Sequence, residues 1–326
     1  MFFLGIDVAK LTLAVTLLTP DNQSLHFSCD NTPAGFAELL DWLQQHDVSS
    51  LHACLEATNV YWEAIATWLH SLDYTVSVVN PSRIKGFGQA LMQRTKTDRQ
   101  DSLVIALFCA KHQPSAWAPS SPEQRQLRDL VRLRHDLILS QGQQRNRLND
   151  ATNATVKAIL QDVIDTLVAK TAEVDEQISS HIASHQALQA QVLLLTSIKG
   201  IGVVTATTIL AEMGNLTHYP SAKAAAADVG VTPSHYESGT SVRRRPRMSK
   251  LGKSDLRAAL YFPAMAAKRW CPELRAFAER LAARGKPKMV VIGAVMRKLI
   301  HICYGILKHQ TPYDPAKVSP KTSSST

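Results

Sequence analysis

Four acidic residues have the types and positions to hold a divalent cation between them. Asp7 lies in Gly5-Ile-Asp-Val-Ala-Lys10, Glu56 follows Leu51-His-Ala-Cys-Leu55, and Asp98 and Asp101 lie in Lys96-Thr-Asp-Arg-Gln-Asp-Ser102. Carboxylates are hard oxygen ligands, and several brought together repel unless a cation lies among them, which is the chemistry of magnesium rather than zinc. Two such ions stabilise both the attacking and the leaving oxygen of a phosphoryl transfer. A competing reading makes Asp98 and Asp101 ordinary first-turn acids, favoured at a helix N-terminus by the backbone dipole.

Two further segments suit a polyanion. Ser197-Ile-Lys-Gly-Ile-Gly202 lies between helical patterns and is similar to a helix-hairpin-helix, in which Lys199, Gly200 and Gly202 would let backbone amides approach a phosphate; a plain helix–helix connection reads the same way. Downstream, Tyr236-Glu-Ser-Gly-Thr-Ser241 leads into Arg243, Arg244, Arg245, Arg247 and Lys250, five cations in eight positions. A serine in such a field has a phosphodiester held beside it and can act as a nucleophile if a base or metal assists. Without that assistance the segment is a solvated basic loop on a phosphate backbone.

The elements that must carry these residues follow from hydrophobic period. Phe2 to Val8, Leu11 to Thr19 and Ser24 to Cys29 read as strands and Pro33 to His46 as an amphipathic helix. A short buried strand Leu51 to Leu55, a helix from about Asn59 to His70, a strand Thr75 to Val79 and helices from Pro81 and from about Thr97 to Lys111 come next. That order predicts a mixed sheet covered by helices, with Asp7 and Glu56 at strand ends and Asp98 and Asp101 on one helical face. Pro114, Pro119 and Pro122 punctuate a boundary. From Glu123 to about Gln186 glycine and proline nearly vanish and apolar residues recur at three and four, which predicts long helices: a coiled-coil arm for self-association or a packing layer within one monomer. The last third reads as short helices separated by basic loops, and Lys317 to Thr326 as a polar tail.

The balance of 36 Lys and Arg against 27 Asp and Glu, a net charge of +9, is consistent with a nucleic-acid partner. Five scattered cysteines with no C-x-x-C pair argue against a zinc site and for reduced buried thiols. No secretion signal is expected. No membrane span is expected either, because the apolar run Met289 to Leu307 contains Arg297, Lys298 and His301. A sugar-kinase or actin-like ATPase also opens on Gly-x-Asp and a hairpin, but it needs glycine-rich phosphate turns, and Lys10-Leu-Thr12 supplies none.

In this order, Gly5-Ile-Asp-Val-Ala-Lys10, Leu55-Glu-Ala-Thr58, Val79-Asn-Pro81, Lys96-Thr-Asp-x-x-Asp101, Gly200-Ile-Gly202, Gly230-Val-Thr-Pro233, Tyr236-Glu-Ser-Gly-Thr-Ser241, Arg247-Met-Ser-Lys250 and Leu260-Tyr-x-Pro-Ala-Met265 resemble the DEDD transposases of bacterial insertion sequences, which recombine DNA under the guidance of a bridge RNA. The resemblance covers nearly the whole chain. It implies an α/β RuvC- or ribonuclease-H-like domain at 1–118, long helices at 119–188, a mostly α transposase domain with the hairpin-like element at 189–312, and a tail at 313–326. It implies Mg2+ on Asp7, Glu56, Asp98 and Asp101, and a nucleophilic serine at Ser241, with Ser238 the neighbouring competitor. Donor and target DNA, a structured guide RNA and a homo-oligomer with subunits acting in trans are the implied partners, in the bacterial cytoplasm at the nucleoid. The chain departs from the family at Arg244-Arg245-Pro246, where a glycine is usual. A RuvC-like nuclease that hydrolyses branched DNA with the acids alone is the alternative, and a non-catalytic nucleic-acid binder a third reading.

Overall fold

The computed structural model describes residues 1–57, 60–92, 97–214, 216–238 and 242–315, with backbone alone at 235, 237, 238 and 242–245. They form two compact units, Met1–Pro119 and Ser120–Thr326.

In the first unit, alternating apolar residues build β1 (Phe2–Val8), β2 (Thr12–Leu18) and β3 (Ser24–Asp30), followed by α1 (Pro33–Gln45), β4 (Leu51–Glu56), α2 (Trp62–Ser71), β5 (Thr75–Val79), α3 (Pro81–Ala90) and α4 (Asp98–His112). The sheet order is β3-β2-β1-β4-β5, antiparallel from β3 to β1 and parallel from β1 to β5. Helix starts are written locally. Thr32 and Asn80 cap α1 and α3 with their side chains, each ahead of a proline whose missing N–H costs nothing in the first turn.

Both faces of the sheet are covered. Leu4, Ile6 and Val8 of β1, with Leu13, Val15 and Leu17 of β2, pack with Phe36, Leu39 and Leu43 of α1 and Ile65, Ala66 and Leu69 of α2. On the other face Phe3, Cys54 and Val79 meet Ile84 of α3 and Val104, Ile105, Phe108 and Cys109 of α4. Because side chains alternate along a strand, Phe3, Gly5 and Asp7 share this second face, as do His52, Cys54 and Glu56.

α4 crosses this face at close range. A Cβ built on Gly5 would collide with backbone atoms of Ser102 and Ala106, so only glycine fits there. A directional hydrogen-bond chain fixes the same crossing. The Ser102 hydroxyl donates to Arg99 O (2.9 Å), so the Thr16 hydroxyl donates to Ser102 Oγ (2.8 Å) and His26 Nδ1–H donates to Thr16 Oγ1 (2.8 Å). On β5, Ser77 Oγ donates to Pro114 O and Ser115 O (2.9 and 3.0 Å), which makes His52 Nε2 of β4 the donor to Ser77 Oγ at 2.8 Å. This network also ties the segment after α4 back to β5, where Trp117 N donates to Val76 O.

The second unit opens with α5 (Pro122–Asp150) and α6 (Ala154–Ala183), helices of 29 and 30 residues, each about 45 Å long at 1.5 Å per residue. Buried Gln141 pins them, donating to Leu167 O and Thr171 Oγ1. α7 (Gln186–Thr196), α8 (Val203–Met213), a 3-10 turn (Leu216–His218), α9 (Ala222–Asp228), β6 (Pro233–Ser238), β7 (Val242–Met248), α10 (Ser254–Ala259), α11 (Tyr261–Trp270), α12 (Pro272–Ala283) and α13 (Lys288–His309) follow.

One expectation changes here. The last third is not helices and basic loops alone, because Pro233–Ser238 and Val242–Met248 pair as an antiparallel ribbon. The arginine segment is therefore a strand. The ribbon's register shifts between Ser234↔Arg247 and Tyr236↔Arg244, which gives Pro246 an irregular position where its missing N–H breaks no ladder bond. The apolar run containing Arg297, Lys298 and His301 is continuous in α13. By length and composition α13 could cross a membrane, but 61% of its most apolar window is buried within the unit. Val291, Val295, Leu299, Ile300 and Cys303 place it in the core.

The buried groups of the first unit predict two outcomes. Burial, and for His26 also the Arg99 charge, holds His26 and His52 below the ordinary value of 6.5. A histidine kept neutral by folding contributes stability above its unfolded pKa and loses it as pH falls toward the folded one. The melting temperature should therefore fall as pH drops below about 6.5, and His52→Gln should reduce that fall; an identical pH profile would contradict it. Gly5→Ala should destabilise the first unit by about 1–3 kcal/mol through the clash with α4, measured by thermal or urea unfolding.

Candidate active site

Register decides where the first two acids stand. Phe3 pairs with His52 and Ile6 with Leu55 in the parallel β1–β4 ladder, so Asp7 and Glu56 occupy the next rung, on the α4 face. Neighbouring strands lie about 4.8 Å apart, and both residues are half-buried.

The direction of α4 decides the other two. Cys109 Sγ lies 3.5 Å from His52 O, near the start of β1 and β4, whereas Ser102 is bonded to Thr16, which pairs with Gly5. The helix therefore runs against β1, with its N-terminus approaching the carboxyl ends of β1 and β4. From Gly5 to Asp7 is about 6.6 Å along the strand, and from Ser102 back to Asp98 about 6 Å along the helix. The first turn of α4 thus reaches the level of the Asp7–Glu56 rung. Thr97 caps this turn by accepting from Gln100 N (3.3 Å); Asp98 is exposed and Asp101 half-buried.

Asp7, Glu56, Asp98 and Asp101 consequently share one edge of the sheet. Among the described residues, no three His, Cys, Asp or Glu side chains are grouped closely enough to hold one ion. The four carboxylates are not drawn together into a closed cage. In donor type the set suits a hard divalent cation such as magnesium, and it contains none of the thiolate or imidazole ligands that zinc favours.

The residues that build this edge were visible in the sequence but had no assigned role. Gly5 belongs to the opening motif. Ser102 and Ala106 continue from Asp98 at four-residue steps, so small residues line the stripe of α4 that must approach a strand. That spacing is the signal a reading of the acids alone passes over.

In the second unit, Ser241 lies outside the described residues, together with Gly239 and Thr240; Ser238, on the near side, pairs with Val242 on the far side. Arg243 and Arg244 pair with Glu237 and Tyr236 across the ribbon, and Arg247 with Ser234. Arg245 is in the same strand. Arg247 and Lys250 are exposed. The ribbon's base is held through the backbone. Ser249 N donates to Thr232 O and Lys250 N to Gly230 O, Arg257 Nη1 donates to Val229 O and Lys250 O, and a Cβ on Gly252 would strike the Asp228 carbonyl. Lys253 Nζ donates to Glu212 O (2.6 Å), and the Glu212 carboxylate accepts two bonds from Arg132 at 2.8 and 3.0 Å.

The two glycines of Ser197–Gly202 have different tasks. Gly200, at φ +105°, packs against the backbone of Ala267 in α11, where a Cβ would come within 2.6 Å of its nitrogen. Its freedom serves the unit's own packing. Gly202, the N-cap of α8, is exposed with open space around it, and Lys199 is exposed as well. The Cys271 thiol, and more weakly the Lys199 charge, hold the Glu273 carboxyl below its ordinary range.

Comparison with known proteins places both units in one group. A family model described as Transposase, the DEDD type of IS110 elements, matches residues 4–156, and the model Transposase IS116/IS110/IS902 family matches residues 192–279. The chain is 34% identical over 317 residues to the pilin gene-inverting protein of Moraxella lacunata, covering 96% of this chain and 97% of that protein. It is 25% identical over 353 residues to a probable family 20 transposase of Pseudomonas aeruginosa, covering 96% of this chain and 98% of that protein. The chain belongs to the IS110-type transposase family, enzymes that cleave and rejoin DNA.

Proposed function

We propose that this transposase works through a phosphoserine intermediate formed at Ser241, supported by magnesium held on Asp7, Glu56, Asp98 and Asp101, and is directed to its sites by a structured bridge RNA. The observation that carries this reading is the rung of Asp7 beside Glu56, met by the first turn of α4. The antiparallel-then-parallel strand order β3-β2-β1-β4-β5 supports a RuvC- or ribonuclease-H-like assignment for the first unit.

Magnesium bound there would offset the repulsion among the four carboxylates and stabilise charge on the phosphate oxygens. The Ser241 hydroxyl forms its bond to phosphorus as the bond to a deoxyribose oxygen breaks, and the proton lost by serine ends on the departing hydroxyl. Rejoining reverses this: a strand hydroxyl attacks phosphorus and serine leaves with a proton. The phosphoserine ester retains the energy of the broken bond, which hydrolysis would dissipate. Arg243, Arg244, Arg245, Arg247 and Lys250 follow the serine closely in sequence and favour a held phosphodiester. Lys199, Gly200 and Gly202 are read as a secondary backbone contact through the open N-terminus of α8.

The acids and the serine belong to different units of the chain, which favours a site completed by a second subunit. The outer parts of α5 and α6 support self-association, since Leu139 is 52% and Ile159 60% exposed. Pairing between RNA and DNA would choose the target, while the protein reads backbone and shape.

Ser241→Ala should abolish both the covalent protein–DNA adduct and strand joining, by at least about a thousandfold, whereas Ser238→Ala retains them; both are read on denaturing gels. Adduct formation in Ser241→Ala would refute the assignment, and cleavage without any adduct would favour a hydrolytic nuclease. Asp7→Ala, or removal of magnesium by chelation, should abolish adduct and cleavage together while leaving the melting temperature of the half-buried strand end nearly unchanged.

A further inference from the structure

α13 buries one side in the core of the second unit and carries a different chemistry on the other. Lys298, His301, Gly305 and His309 line a cleft of about 310 Å3 between the helix and the returning segment 311–314, at the lower end of ligand-pocket volumes. The far wall is anchored: Tyr313 N donates to Ser197 Oγ (2.8 Å) and Tyr313 Oη to Glu273 Oε2 (3.1 Å).

Three features mark the cleft as an anion site. Its charge is unbalanced, because Asp314 is the one acid among the described residues of the lining, while Arg297, Lys298 and Lys223 of α9 all act on His301. One of its polar groups is under-satisfied: His301 Nε2 is buried and has no hydrogen-bond partner among the described residues, an arrangement that costs stability. Its floor is open, because a Cβ on Gly305 would meet nothing within 4 Å. Gly305 lies four residues after His301 and four before His309, so the three share one stripe of the helix.

We propose that this cleft takes a phosphodiester of the bound nucleic acid, its free oxygens lying over Gly305 between His301 and His309 with Lys298 at one end. Lys298 and His309 supply the cationic and donor groups at the cleft wall, and the missing side chain at Gly305 lets the phosphate approach the helix surface. The proposal rests on the chain acting on DNA, as its family does, but not on the identity of the nucleophile. The helix lies beyond the segment matched by the second family model, residues 192–279.

The test is nucleic-acid binding by the full chain, followed by fluorescence anisotropy over a range of salt, with a DNA duplex in one arm and a structured RNA in the other. Two variants are compared with the wild type: Gly305→Glu, and Lys298→Gln combined with His309→Gln. Each should weaken binding about tenfold and reduce the slope of log K against log salt by about 1 for each phosphate that is no longer held. Gly305→Glu should melt no lower than the wild type, because glycine is a poor helix former and the position has room. Weakening confined to one arm identifies DNA or RNA as the source of the phosphate. Unchanged affinity and slope in both arms overturns the proposal. Ser241→Ala separates it from the catalytic reading, since that variant should lose the adduct and keep the Gly305-dependent binding.

Discussion

The first unit depends on the close crossing of α4 over β1 at Gly5. No side chain fits between the strand and the backbone of Ser102 and Ala106, so the helix rests on the sheet at backbone distance. The buried hydroxyls of Thr16 and Ser102 lock its position along the strand. A shift of one helical turn would break that bond and carry Asp98 and Asp101 about 5.4 Å from the Asp7–Glu56 rung. The position of an acidic edge is thus set by small and neutral residues.

The second unit solves a different problem, the placing of concentrated positive charge. Arg243, Arg244, Arg245 and Arg247 lie on one extended strand, β7, and Lys250 follows its end. Pro246 is tolerated because the register shifts around it. The ribbon's base is stitched to Thr232, Gly230 and Arg257. α13 backs the ribbon as well, since Met248 at its end approaches Gly293, and the same helix carries its basic stripe on a less buried side.

Much of the first unit was legible in the sequence because its signals are local. Hydrophobic periods predicted the strands and helices to within a few residues; α2 begins at Trp62 rather than near Asn59. The second unit was less legible. Val242–Met248 carries four arginines and a proline that disguise a strand as a loop, and its pairing is supplied by a partner segment rather than by its own periodicity. The hairpin glycines were legible as glycines but not by task, since Gly200 faces Ala267, a residue far away in sequence.

The sequence by itself determined the donor chemistry: four carboxylates, a serine among cations, and a surplus of positive charge. Those are properties of side chains and survive any arrangement of the chain. Tertiary structure decided which of them share a surface. The parallel register sets Asp7 beside Glu56, and the antiparallel run of α4 brings its first turn to that edge; an open Gly305 between two histidines became meaningful only once the segment after α13 returned to form a wall. Such pairings join residues distant in the chain, and close packing, rather than local preference, selects among them.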